Sequence, residues 1–432
     1  MLKTLAQGAS IAFLLQTTGV GLAYGMQILL AQWMGAAEYG TYQYAITWGT
    51  FLAFLAGLGL PLVVLRSISE YRTREDWPRV KGVITSSWQQ TLIASLSIAL
   101  LGTAVMQLRP VYQLLNSSLS LLLGLWTVPL LALMNLQREI ARAFRHIALA
   151  YAPSLVIWPL MTMAGAFLYL QTHHTLTSVP VIGTAMLGLG VVLAIQHFCF
   201  RQLLATTLWH VRPVYELRQW LMAALPLLLI DGAFVVLGQT DVLMIGTLLD
   251  SEAVGFYSAA LQTARWVNFA LFAVNAIAAP MFASLYAQGD RAALQKIISA
   301  VAHWVFWPGI AIAIGLIGLA QPILSIFGPE FVQARAEIAV LSVGQLVNVG
   351  VGSVGYLLIM TGHQRQCAYV ATSSALLNLV LNAIGIPWLG ILGAALATAV
   401  TMATWNLWML VLVIKHIRVN SSIVFALTSN AD

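Results

Sequence analysis

The chain has 432 residues, of which 60% are hydrophobic and 8% charged, and its formal net charge is +6. A soluble domain carries about 25% charged residues, so this chain lacks the charge to cover a water-facing surface and lipid must solvate most of it. No basic run with interleaved aromatics occurs in a soluble segment, so the positive balance points to cationic loops at a cytoplasmic leaflet rather than to nucleic acid.

A span needs about 20 apolar residues to cross a hydrocarbon core of about 30 Å. Twelve segments qualify in chain order: 9–34, 42–65, 83–106, 118–137, 147–170, 180–204, 219–248, 254–282, 297–320, 336–360, 366–386 and 390–414. The first is too long for a signal-peptide core of about 7–15 residues and no A-x-A cleavage site follows a short core, so it reads as a retained membrane helix. Pro61, Pro129, Pro153, Pro159, Pro226, Pro280 and Pro308 interrupt spans. They suit either a transporter that bends or the ordinary tolerance of membrane helices for proline. Cys199 and Cys367 make neither a metal pattern nor a disulfide framework and read as small buried hydrophobes.

Seventeen of the twenty Lys and Arg residues fall on the side shared by the N-terminus and every even-to-odd loop, with only Arg109 and Arg335 opposite and Arg265 within a span. The positive-inside rule then places both termini in the cytoplasm. The longest loops, around Ser67–Gly82 and Ala205–Arg218, are too short to fold as domains. No HExxH, GxSxG, P-loop or strand-borne GxGxxG is present, and no paired acids and histidines lie in the spans, which argues against an enzyme. Trp77, Trp88, Trp209, Trp220, Trp304 and Trp307 sit near helix ends, as interfacial aromatics do.

The two halves resemble each other at an offset of 215: Gly40-Thr41-Tyr42 meets Gly255-Phe256-Tyr257, Ala45 meets Ala260, Phe54 meets Phe269, Tyr71 meets Tyr286 and Lys81 meets Lys296. Each half has six helices, an even number, so the halves share orientation as a parallel repeat. The expected organisation is an N-terminal six-helix bundle over 1–205, a cytoplasmic linker over 206–217 and a C-terminal bundle over 218–432. Such bundles enclose a cavity that rocking opens to each side in turn.

Met34-Gly35-Ala36-Ala37-Glu38-Tyr39-Gly40-Thr41-Tyr42 resembles the stretch after the first helix of polysaccharide flippases. Asp241–Gly246 with Val254–Ala260 resembles their helix-seven and helix-eight signature. Leu376–Asn382, Pro387 and Gly390–Thr398 resemble their last helical pair. The chain thus resembles the polysaccharide (Wzx-type, O-antigen) branch of the MOP exporter superfamily, which also holds the MATE antiporters and the lipid II flippases. The resemblance implies an all-α MOP/MATE-like fold. It implies flipping of an undecaprenyl-diphosphate-linked oligosaccharide across a bacterial inner membrane, coupling to an ion gradient, and a polysaccharide polymerase as partner. A MATE-like small-molecule exporter is the alternative.

Charges deep in a bilayer cost about 3 kcal/mol or more, so they face a cavity or a partner. Asp231, Asp241 and Arg265 are such residues. Arg265 suits a diphosphate contact through its bidentate guanidinium, or an internal pair with Asp231 or Asp241. Gln262 stands near where lipid II flippases resembling this chain carry an arginine. Arg66 reads as a headgroup contact at the cytoplasmic mouth or as a positive-inside anchor. Tyr24, Tyr44 and Trp48 suit sugar stacking or core packing. Asp241, Asp231, Asn378, Asn382 and Thr398 are the ion-coupling candidates. Asn378 and Asn382, four apart, share a helix face. With Asp241 and Thr398 they offer the oxygen donors of a sodium site, which the resemblance to lipid II flippases also implies. The readings left open are a protonated Asp241 and interhelical hydrogen bonding.

Overall fold

A computed structural model of the chain describes residues 2–108, 118–208 and 211–429. Arg109 and Trp209, read above as an outer-side cation and an interfacial ring, lie outside them. The described residues form helices and turns with no strand. Among the described residues ten helical segments are long and apolar enough to cross a membrane, and a bent pair, Ser251–Asn275 with Ile277–Ala287, makes an eleventh. The first segment, Phe13–Ala56, is 44 residues long, about 66 Å of helix and twice a hydrocarbon core. Gly35 breaks it with φ 74°, ψ 170°, a backbone that glycine alone adopts freely. Counted as two, it brings the spans to the twelve expected.

Packing divides the chain into two compact units, Met1–Val235 and Val236–Asp432. In the first, α1 (Leu2–Ala56) is followed after Gly57–Gly59 by α2 (Leu60–Thr73), which has Pro61 in its first turn. Pro61 has no amide hydrogen to satisfy there. The expected span 42–65 is therefore two pieces. The expected loop Ser67–Gly82 is mostly helix, because α3 (Trp77–Met106) starts only a few residues after α2 ends. Asp76 caps α3, accepting a bond from the Arg79 amide. Next come α4 (Ser118–Ala143), α5 (Ile147–Ala152), a π-turn at Pro153–Ile157, α6 (Trp158–His173) and α7 (Ser178–Leu208).

The boundary between units falls inside α8 (Leu217–Leu248), past the expected linker. The reason is packing: Trp220 and Ala224 are buried with Leu60, Ile68 and Leu136 in a first-unit core. Trp220 is 1% exposed, and its indole donates to the Tyr71 hydroxyl at 3.2 Å. It is an internal anchor, not the interfacial ring read from its place near a helix end. Trp304 and Trp307, by contrast, are exposed.

The second unit continues with α9 (Ser251–Ala264) and a 3₁₀ turn, Arg265–Asn268, which splits the expected span 254–282. Asn268 closes that break by donating to Gln345 and accepting from Asn348. After it come α10 (Phe269–Ala287), α11 (Arg291–Gly318), α12 (Ala320–Ser325), α13 (Arg335–Val351), α14 (Val354–Met360), α15 (Gln364–Leu389) and α16 (Ile391–Ile417). A short α17 (Ile423–Ser429), unforeseen from the sequence, buries Ile423 and Ala426 against Ala302.

Leu101, Leu187, Ile277, Tyr369 and Trp388 are exposed while Ser95, Thr127, Gln196, Asn378 and Asn382 are buried. Large apolar side chains outside and polar ones inside are what a lipid solvent selects. The protein is a multi-pass membrane protein.

Candidate functional site

Asp241 lies near the end of α8, 3% exposed. A lone carboxylate so placed needs donors, and three helices bring them. Asp250 caps α9 through the Ala253 amide at 2.8 Å, and α9 then carries Tyr257, 0% exposed. The Tyr257 hydroxyl donates to Asp241 Oδ2 at 2.7 Å. Asn382 on α15 donates through Nδ2 to Asp241 Oδ1 at 2.7 Å. Thr398 on α16 donates its hydroxyl to Asp241 Oδ2 and lies 3.3 Å from the Tyr257 oxygen. Asn378 stands one turn below Asn382, with its Oδ1 3.1 Å from Asn382 Nδ2.

The close approach of α15 and α16 makes this possible. A Cβ on Gly393 would lie 2.0 Å from the Gly385 carbonyl oxygen, so no larger residue fits there without a backbone shift. That contact brings Asn382 and Thr398, sixteen positions apart in the sequence, to one carboxylate. Among the described residues no group of three or more His, Cys, Asp and Glu could hold a metal. The cluster has one carboxylate among neutral amides and hydroxyls. Asn382 Oδ1 is buried with no hydrogen-bond partner among the described residues, and buried acceptors are rarely left so. One carboxylate, two amide oxygens and two hydroxyls fit one hard monovalent cation.

Asp241, Asn378, Asn382 and Thr398 are thus together as the sequence suggested. Tyr257 was read only as part of a motif, and its part in the cluster was missed. The sequence signal was its recurrence as Tyr42 at the repeat offset of 215, and both tyrosines are buried. The same offset sets Met26 against Asp241. The equivalent place in the first unit holds no acid but Gln27, whose Oε1 accepts from Tyr39 at 3.0 Å and from Gln43.

Asp231 is half-buried and stands ten residues before Asp241 on α8, about 15 Å along the helix. It is not among the Asp241 partners. Arg265 is exposed at the head of the 3₁₀ turn. It forms no ion pair with Asp241 among the described residues, and its Nη1 reaches Gln262 Oε1 at 3.4 Å. Among the described residues no ion pair joins it to Asp231 either. Arg66 is exposed on α2, and Tyr24 is half-buried. Trp48 packs edge-on to Tyr44 and Phe51, with ring centroids 6.4 and 6.2 Å away.

The sequence matches the family model described as polysaccharide biosynthesis protein over residues 5–286. The chain belongs to that polysaccharide biosynthesis protein family. A second model, MatE, matches residues 226–384. An uncharacterized membrane protein of Methanocaldococcus jannaschii is 26% identical over 199 residues, 43% of this chain, and the chain spans only 39% of that relative's length.

Among solved structures, the lipid II flippase MurJ in an inward closed conformation has a TM-score of 0.73 at 16% identity, covering 94% of this chain and 87% of that one. An inward-facing multidrug resistance MATE transporter of the MOP superfamily has a TM-score of 0.76 at 12% identity, covering 93% and 94%. A MATE protein in a bent conformation has a TM-score of 0.65 at 12% identity, covering 99% and 97%. The polysaccharide biosynthesis protein therefore shares its fold with a lipid II flippase and with MATE transporters.

Proposed function

We propose that this protein flips an undecaprenyl-diphosphate-linked oligosaccharide from the cytoplasmic to the periplasmic leaflet of a bacterial inner membrane by alternating access, driven by a monovalent cation held at Asp241. The observation that carries this reading is the buried carboxylate bound from three other helix segments, with one unpartnered amide oxygen beside it. The family match and the shared fold with a lipid II flippase support this choice of substrate class. Exposed Arg265 and half-buried Gln262 in the second unit, and Arg66, Tyr24 and Trp48 in the first, are the proposed contacts for the diphosphate and sugars.

Bound sodium or a proton would neutralise the Asp241 charge. In the observed arrangement Tyr257, Thr398 and Asn382 all aim donors at the carboxylate. To hold sodium, the two hydroxyls turn their lone pairs inward and Asn382 presents Oδ1. The four helix segments α8, α9, α15 and α16 are thereby joined differently in the two states, and differential contacts are what let an ion shift a conformational equilibrium.

Both termini are assigned to the cytoplasm on the basic loops, and a polysaccharide polymerase is the proposed partner. A strain lacking this gene should accumulate lipid-linked repeat units on the cytoplasmic leaflet. The wild-type gene should clear them and Asp241→Asn should not. Clearance by the Asp241→Asn gene would remove the coupling site. No accumulation, together with raised sensitivity to cationic drugs, would favour the MATE-like exporter to which the match over 226–384 also points.

A further inference from the structure

We infer that the first unit carries a binding slot for an anionic phospholipid, apart from the Asp241 cluster. A cavity of about 460 Å³ is lined by α3, α4 and α7. Its cations, Lys81 and Arg201, lie at the end of the unit where the basic loops gather. Lys81 Nζ donates to the Val211 carbonyl at 3.0 Å, which holds its charge at that level. Beyond them Ile84, Leu92, Ile140 and Phe200 supply apolar wall, interrupted by Thr85, Gln89 and Gln137. Lys81 and Leu92 are eleven residues apart on α3, about 16 Å of helix rise, or half of a 30 Å hydrocarbon core. The slot therefore matches one leaflet in depth.

A second observation points to a ligand. Gln137 lines the slot and is 1% exposed. Neither its amide nitrogen nor its amide oxygen has a hydrogen-bond partner among the described residues. Buried amides are seldom left wholly unsatisfied. It lies six residues from the end of α4, about 9 Å of helix rise. Its free amide donor and acceptor suit the ester and hydroxyl oxygens of a glycerol backbone whose phosphate sits at the cations. Phosphate at Lys81 and Arg201, glycerol at Gln137 and an acyl chain along Ile84 to Leu92 describe one ligand. A free phosphate would have no use for the apolar walls, and a neutral lipid none for the cations. The leaflet, cytoplasmic, rests on the orientation proposed above. The slot does not.

The test is retention and photocrosslinking of lipids on the full-length protein in mild detergent. Phosphatidylglycerol and phosphatidylcholine, each with a diazirine on one acyl chain, are compared. Phosphatidylglycerol should crosslink to peptides holding Ile84–Leu92, Gln137–Ile140 and His197–Arg201. Arg201→Gln should lower its retention about fivefold, the worth of one basic residue at an anionic surface, and leave phosphatidylcholine unchanged. Leu92→Trp fills the deep end without touching charge and should remove the crosslinks. Monodisperse elution shows each variant folded. Equal retention of the two lipids, or crosslinks scattered over lipid-facing helices, would overturn the assignment. A reversed topology would move the slot to the other leaflet but keep the crosslinks in place.

Discussion

Asn382 donates its amide to Asp241 at 2.7 Å across 141 positions of sequence, which ties α15 of the second unit to the end of α8. The bond uses the Asn382 amide nitrogen and leaves its oxygen buried with no hydrogen-bond partner among the described residues. That unpaired oxygen is an acceptor that a bound cation could use.

If sodium binds there, it binds the folded chain and not the unfolded one. At one hundred times its dissociation constant it should stabilise the protein by about 2.7 kcal/mol. A thermal melt in sodium against choline should therefore show a saturable rise for wild type and none for Asp241→Asn. A melt that ignores sodium, with transport that follows the proton gradient, would assign Asp241 to protons.

Tyr257→Phe deletes a hydroxyl that touches both Asp241 and Thr398. A hydrogen bond to a charged group contributes about 1.5–3 kcal/mol. The sodium midpoint should weaken by roughly tenfold or more, with the fold retained. A sodium titration of the melting temperature checks it, and an unmoved midpoint would show that the hydroxyl is no ligand.

Gly393→Ala places a methyl 2.0 Å from the Gly385 oxygen. Backbone must yield, at a cost of about 1–3 kcal/mol, and α15 separates from α16. Thermal stability should fall, and the sodium response should fall with it, because Asn382 and Thr398 ride on the separated helices. Gly238→Ala, on α8 with nothing near its Cβ, is the control and should do neither.

The segment ahead of α8 is strapped to α3. Val214 donates to the Pro78 carbonyl at 3.1 Å, Arg79 donates to Glu216 at 2.8 Å, and a Cβ at Gly82 would lie 1.8 Å from the Val214 oxygen. Gly82→Ala should therefore release the strap, read as faster proteolysis within residues 211–216. An unchanged cleavage rate would show that the strap adapts.

Acid should loosen the same strap. Burial alone would raise the Asp76 carboxyl, but hydrogen bonds from Arg79 and the charges of Arg79 and Arg74 hold it below its ordinary 3.8. A depressed carboxylate stabilises fully above about pH 3.8, and the contribution is lost as pH falls through the lower folded value. The pair lies at the surface, so the effect is small and screened by salt. Pepsin cleavage of residues 211–216 should rise more steeply on acidification in wild type than in Arg79→Gln, which has already lost the contact.

Local chemistry made much of this protein legible. Transfer of each apolar side chain into lipid is a local quantity, so the runs of apolar residues mark the spans, and the lysines and arginines between them mark a side. The same logic exposed Asp241, Asn378 and Asn382 as polar residues that lipid would not accept alone. Tertiary structure decided the rest. Tyr257 and Trp220 look like any membrane aromatic until helix rotation turns one to a carboxylate and the other into a core. The break at Arg265–Asn268 falls within the span 254–282 that hydropathy reads as continuous, whereas the break at Gly35 falls in the gap between the expected spans 9–34 and 42–65. Which donors meet Asp241 depends on contacts 16, 141 and 157 positions away, and no local preference encodes pairings that only packed helices bring within hydrogen-bond reach.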